Sequence, residues 1–303
     1  MVGRREDRNK ELEEEIEKEE KKEKNKKIGK RIIKIVVTII LIITLIFMYM
    51  HFIGTKGLKV REYKVTSNKL PSSFTGFKIV HFSDLYYLST IKEKELNKIV
   101  NKINELKPDI VVFTGDLISN NKKIKDSDIK ALTKSLKNIE TTIGKYAIKG
   151  DNDYSNTYDD IMKKSKFKII NNSYELIYYK GNTPILLTGT GSSIKKDSDI
   201  DNTFSYDEES LYTISLIHEP DTANKLTKKA NLILAGHSLN GQIRLPIIGG
   251  LKKFEDAKKY PNSKYNLSGT TLFVSNGLGT DKHEFRLFNH PSINFYRLVK
   301  ETK

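Results

Sequence analysis

The sequence predicts an α/β layered domain preceded by one membrane-spanning helix. Three observations predict it. An uncharged run of membrane length stands near the amino terminus, strand-like and helix-like segments alternate after it, and acids or histidines recur where strand-like runs end.

Residues Met1–Lys34 are almost entirely charged, with acids first and bases gathered from Lys21 to Lys34. A segment of this kind has too little apolar surface to fold alone, although a charge-laced helix is open to it. Next comes Ile35–Ile53, IVVTIILIITLIFMYMHFI, without one charged residue. As a helix it spans roughly 30 Å of hydrocarbon, and Tyr49 and His51 near its far end suit the lipid–water interface. A cleavable signal would have a shorter apolar core and small residues at a cleavage site, and neither is present. We therefore expect a charged tail over 1–34, an anchor over 35–54 and a domain over 58–303. Lys26, Lys27, Lys30, Arg31 and Lys34 crowd the near side of the run. Lys56, Lys59 and Arg61 stand further from its other end. The positive-inside bias then predicts a single-pass membrane protein with a cytoplasmic amino terminus and an extracytoplasmic domain.

Within the domain, KIVHF (Lys78–Phe82), DIVVFTGDL (Asp109–Leu117) and KYAIKGDND (Lys145–Asp153) begin as short apolar strands. Helical spacing separates them: Leu96, Ile99, Ile103 and Leu106 lie on one face before Pro108, and Ile129–Ile139 is a second helix. Pro184–Gly189, Tyr212–His218, Asn231–His237 and Thr271–Gly277 are further strands. Strands alternating with helices and followed by more strands imply an α/β layered domain.

The chain has no cysteine, so any metal must be held by Asp, Glu, His, Asn or backbone oxygen. Its formal charge of +15 favours anionic surroundings such as a phospholipid surface or phosphate-rich polymer. It lacks RNA-binding aromatic signatures and arginine-rich arms, so nucleic acid is not an expected partner. The expected partners are the lipid bilayer and anionic, phosphate-containing molecules of the envelope.

Five strand-like runs end in acid or histidine: Asp84 in FSD, Asp116 in TGD, Asp151–Asp153 in KGDND, His218 in LIHEPD and His237 in AGH. Each alone is commonly a turn, a cap or a buried histidine. Together they supply the oxygen and imidazole donors that a divalent cation needs.

In this order the residues resemble the calcineurin-like metallophosphoesterases, whose pattern is D-x-H, GD, GNH[DE], H and GHxH. The resemblance runs from about Leu58 to Val299. It includes LPSSFTGFKIVHFSDL (Leu70–Leu85), GHSLNGQIRLP (Gly236–Pro246) and a closing VSNGLGT…FRLFNHPSI (Val274–Ile293). It implies two packed β-sheets flanked by helices, with metals between the sheets at the strand ends. It also implies two divalent ions (manganese, iron or zinc) that bind phosphate and activate the attacking water, and a histidine that assists the leaving group.

Position by position, Asp84 matches a ligand of the first metal and Asp116 the bridging aspartate. His218 and His237 match ligands of the second metal. Asp151 stands for the family's asparagine ligand. Tyr86 and Leu239 replace the two histidines of the first metal, and Asn152 replaces the catalytic histidine. The second site so keeps a ligand set fit for one ion, while the first loses both imidazoles. Asparagine cannot donate a proton as imidazolium does, which removes roughly 10²–10⁴-fold from such a step. Two functions follow as expectations. One is a membrane-anchored, metal-dependent hydrolase of an envelope phosphomono- or diester with a partly degenerate centre, holding one ion rather than two. The other is an inactive family member, with one ion or none, that binds or scaffolds at the membrane.

Overall fold

The computed structural model describes residues 3–120, 122–206 and 210–301. The chain divides into two units, Met1–Tyr49 and Met50–Lys303. Helix α1 (Gly3–Phe52) makes up the first and gives its last turn to the second. In its charged half Glu23 and Lys27 form an exposed pair 3.7 Å apart, which contributes little to stability in water. From Ile35 to Phe47 its large apolar side chains are about half exposed. By length and composition the helix can cross a bilayer.

The second unit is built on two six-stranded sheets. The first contains β1 (Lys59–Ser67), β2 (Lys78–Phe82), β3 (Ile110–Phe113), β4 (Gly144–Ala147) and β5 (Phe167–Ile169). Helices α2 (Glu93–Glu105), α3 (Asp126–Lys137) and α4 (Asn156–Lys164) connect β2 to β5 as parallel neighbours. The second sheet contains β6 (Ser173–Ile177), β7 (Ile185–Gly189), β8 (Thr213–Ile217) and β9 (Leu232–Ala235). A small hairpin, β10 (Arg244–Leu245) and β11 (Gly249–Gly250), interrupts it before β12 (Lys264–Leu267) and β13 (Thr270–Val274). The last strand, β14 (Ser292–Lys300), returns to the first sheet between β1 and β2.

Side-chain alternation explains why the central strands read as continuous apolar runs. In β3, Ile110 and Val112 enter the core between the sheets, while Val111 and Phe113 face the helices. In β9, Leu232 and Leu234 enter that same core, and Ile233 and Ala235 pack outward against Leu226 and Phe204. Both faces are covered, so polar residues are excluded until the strand ends. The metallophosphoesterase-type pair of sheets flanked by helices expected from the sequence is therefore present.

β14 is buried from Ser292 to Tyr296, with polar Ser292 and Asn294 breaking its apolar run, whereas β1, β6 and β12 escaped sequence reading for the opposite reason. Each carries charged or half-exposed residues, as in the exposed–intermediate alternation of Lys264–Leu267. The closing segment before β14 is fixed by Arg286, whose guanidinium is fully buried. It donates to the carbonyls of Gly279 (2.6 Å), Asn276 (2.9 Å), Asn289 (3.1 Å) and Gly277 (3.2 Å). Burial lowers its pKa to about 10, and the Asp84 charge nearby opposes that shift. We expect Arg286→Met to destabilise the domain by about 3–5 kcal/mol, because four carbonyls lose their donor together. Denaturant melts measure this, and a cost under about 1 kcal/mol, the net worth of one ordinary hydrogen bond, would contradict it.

Candidate metal centre

All five motif residues stand just beyond strand ends. Asp84 follows β2, Asp116 follows β3, Asp151 follows β4, His218 follows β8 and His237 follows β9. These strands run parallel within their sheets and end in register, Phe82 beside Phe113 beside Ala147, and Ile217 beside Ala235. Loops from both sheets so converge at one edge. The turn to the site is tight: Asp84, Asp116 and His237 all have positive φ, at 50°, 62° and 65°. Only small neighbours fit there. A Cβ on Gly150 would lie 2.4 Å from the Asp116 carboxylate and 2.7 Å from the His218 ring.

Four of these residues form one cluster. A ligand atom from each of Asp116, Asp151, His218 and His237 lies within 4.8 Å of the other three. His218 Nε2 is 3.3 Å from Asp151 Oδ1 and 3.5 Å from Asp116 Oδ2, and His237 Nδ1 is 3.3 Å from the same Asp151 oxygen. The far nitrogen of each ring settles its tautomer. His218 Nδ1 lies 2.6 Å from the carbonyl of Thr114, and His237 Nε2 lies 2.8 Å from that of Glu255. A carbonyl only accepts, so those nitrogens carry a proton, and in the neutral rings the other two present lone pairs. Asp151 Oδ1, His218 Nε2 and His237 Nδ1 are buried without a hydrogen-bond partner. Three acceptors facing one another are satisfied by a cation, and two imidazoles with two carboxylates suit manganese, iron or zinc.

The positions that the family pattern gives to a first metal are built differently. Tyr86 donates its hydroxyl to Asp116 Oδ2 at 2.7 Å, and Asn152 Nδ2 donates to the same oxygen at 2.7 Å. Burial, then the charges of Asp116 and Asp84, push the Tyr86 phenol well above its ordinary pKa, so it stays a donor. Leu239 is fully buried and packs with Tyr86, Phe254 and Ala257. Asp84 stands outside the four-residue cluster. Its carboxylate accepts from Ser83 Oγ and, at 3.1 Å, from the His237 amide. Burial pushes it up to about 6, with the Asp116 charge adding to the shift. Asn152 is a clamp: its Oδ1 accepts from Asn120 while its amide holds Asp116. His81 lies behind the site, with Nε2 2.9 Å from Thr114 Oγ1, and among the described residues no other histidine joins the cluster.

Sequence reading missed the carbonyls of Thr114 and Glu255, which carry no residue signature. It also missed Asp153 as a brace. Asp153 accepts from the amides of Asp116 (2.6 Å), Leu117 and Gly150 (both 2.9 Å), tying two ligand loops together. The resemblance marked Asp153 as the acidic residue closing the family's GNH[DE] motif, without giving it this bracing role.

Protons and metal compete for the cluster. Burial disfavours protonation of His218 and His237, but the Asp116 and Asp151 carboxylates override it and raise both pKa values. Raised histidines stabilise the metal-free fold fully below the unfolded value of about 6.5, and this contribution is lost as pH rises through the folded value. A bound cation needs the deprotonated rings. The rise in melting temperature on adding manganese after chelation should therefore be larger at pH 8 than at pH 5.5. Thermal melts check it, and a pH-independent rise would contradict it.

A buried cluster of two imidazoles and two carboxylates at the facing strand ends of two packed sheets defines a metallophosphoesterase-type centre. The sequence profile of the calcineurin-like phosphoesterases matches residues 77–246. This chain belongs to that family. It is 30% identical over 255 residues to the metallophosphoesterase YkuE of Bacillus subtilis, covering 82% of this chain and 88% of the relative. It is 26% identical over 297 residues to the UDP-2,3-diacylglucosamine pyrophosphatase LpxG of Chlamydia muridarum, covering 77% and 88%. A transmembrane protein with a metallophosphoesterase domain from Danio rerio is 24% identical over 201 residues, covering 61% and 45%.

Proposed function

We propose that this chain is anchored in the cell membrane by α1 and holds one divalent cation in the Asp116–Asp151–His218–His237 cluster. Through that cation it binds the phosphate of an envelope phosphoester, with the hydrolytic step largely lost. The observation that carries the reading is the pair of donors on Asp116 Oδ2. The hydroxyl of Tyr86 and the amide of Asn152 both donate to the oxygen that lies 3.5 Å from His218 Nε2, so this carboxylate has less left to offer a first ion beside the cluster. Leu239 fills the space beside them. A bound cation would neutralise a phosphate oxygen and hold it; the residues present supply no imidazolium to protonate a leaving group. The anchored substrate class follows from the apolar α1, the basic surface and the likeness to a pyrophosphatase named for a lipid-linked nucleotide. The bases beside the apolar run support a cytoplasmic amino terminus and an extracytoplasmic domain.

A second reading, a slow one-metal hydrolase, is favoured by the retention of the complete second-metal set. One measurement separates them. The full chain in detergent, loaded with manganese, should retain about one ion and bind inorganic phosphate, and should cleave a generic phosphodiester no faster than Asp116→Ala does. Turnover that Asp116→Ala abolishes would replace the first reading with the second.

A further inference from the structure

The loop that carries His237 continues into a feature that the metal centre does not use. Beyond Gln242 the chain forms the β10–β11 hairpin, in which Arg244 pairs with Gly250 and Leu245 with Gly249. Its tip, Pro246–Ile247–Ile248, is exposed, with Ile247 at 107% and Ile248 at 71% of full exposure. The tip is closed by the Ile248 amide donating to the Pro246 carbonyl at 2.8 Å. Ile247 sits at φ 70°, a conformation that costs a β-branched residue and that turns in water give to Gly or Asn. A strained turn spent on presenting two isoleucines to solvent calls for an apolar counterpart.

The hairpin is held firmly. Gly241 meets Gly250 so closely that a Cβ on Gly241 would lie 2.5 Å from the Gly250 Cα. Gln242 donates to the carbonyls of His283 and Phe285, and the Arg244 amide donates to that of Leu287. Leu287 is followed by Phe288, which is 63% exposed. The same 284–288 segment grips the last turn of α1: the Arg286 amide donates to Met50 O at 3.1 Å, and His51 Nδ1 to Glu284 O at 2.9 Å. Phe52 and Ile53, next in the chain, are exposed and apolar. One segment so joins the end of the apolar helix to the apolar hairpin. Lys56, Lys253 and Lys282, a few residues along the chain from Ile53, the hairpin and Phe288, are exposed cations, the charge that meets phospholipid headgroups.

We propose that the Pro246–Ile248 tip and Phe288 insert into the lipid interface of the membrane that holds α1. Seated about 5–10 Å into the headgroup–acyl boundary, they fix the domain against the bilayer. The metal loop then faces phosphoesters presented from the lipid surface. This rests on the membrane-anchor reading of α1 and is independent of whether hydrolysis survives.

The chain has no native cysteine, so single cysteines report cleanly. Full-length Ile247→Cys, Leu41→Cys and Lys98→Cys, each carrying an environment-sensitive fluorophore, are reconstituted into phosphatidylcholine–phosphatidylglycerol vesicles with brominated acyl chains. Leu41 lies within the apolar run and Lys98 is exposed on α2. The expected result is blue-shifted, bromine-quenched emission at 247, strongest with bromine near the headgroups. Quenching at 41 independent of that shallow placement and none at 98 complete the expected pattern. Quenching at 41 with none at 247 overturns hairpin insertion and leaves the anchor standing. No quenching at either position overturns both.

Discussion

The variant Tyr86→His, Asp151→Asn, Asn152→His and Leu239→His should bind a second manganese ion and cleave a generic phosphodiester at least about 10²-fold faster than the native chain. Each change has a structural counterpart. Tyr86→His removes the hydroxyl that donates to Asp116 Oδ2 and frees that oxygen to bridge. Asn152→His exchanges an amide clamp for a group that can carry a proton to a leaving oxygen. Leu239→His exchanges a fully buried apolar side chain for a ligand. Asp151→Asn restores the amide that the family pattern has at that position.

The single changes should behave in the opposite way. Leu239 packs against Tyr86, Phe254 and Ala257, and Gly277 lies so close that a Cβ there would be 2.2 Å from its Cδ2, so the side chain is closely surrounded. Leu239→His alone places an unpartnered imidazole there and should cost about 2–5 kcal/mol. With Tyr86→His and manganese present, the same imidazole acquires a ligand bond and the loss should reverse. Metal content, thermal melts and turnover of the single and combined variants test this coupling. Additive losses without recovered turnover would mean that the site diverged through more than these four positions.

The contrast explains what the sequence could and could not disclose. The strand-end places of Asp84, Asp116, Asp151, His218 and His237 were legible, though not that Asp84 stands outside the cluster, because parallel strands with both faces buried leave polar residues nowhere to stand until the strand ends. The two-sheet arrangement was legible from the resemblance, and the helices between β2 and β4 from their apolar spacing. The fate of the first metal position was only half legible. Tyr86 and Leu239 are read from the sequence as absent ligands. That they are a donor to Asp116 and part of a closed apolar cluster depends on loops from both sheets meeting, which no local pattern encodes. The carbonyls of Thr114 and Glu255, which orient both imidazoles, were invisible because any residue offers a carbonyl. Arg286 stood in a quoted segment, but its charge suggested the surface. Four carbonyls aimed at one point explain its burial.

Asp151 would decide how tightly the four-residue cluster holds a divalent cation. Asp151→Ala should reduce bound manganese from about one ion per chain to none after dialysis, a loss of at least 100-fold in affinity, larger than the 10–100-fold typical of changes behind the ligands. Asp151→Asn should fall between, weaker by about 10-fold, because it keeps an oxygen at the same place but removes its charge. The reason lies in the contacts. Asp151 Oδ1 is the atom within 3.3 Å of both His218 Nε2 and His237 Nδ1. Its two imidazole partners outweigh the effect of burial and hold the carboxyl well below the usual carboxylate range. Without it, two buried lone pairs face each other with only Asp116 to supply charge, and Tyr86 and Asn152 already draw on that carboxylate. Equilibrium dialysis with elemental analysis orders the three proteins. Equal occupancy in Asp151→Ala would place the cation elsewhere and overturn the assignment of the four-residue centre.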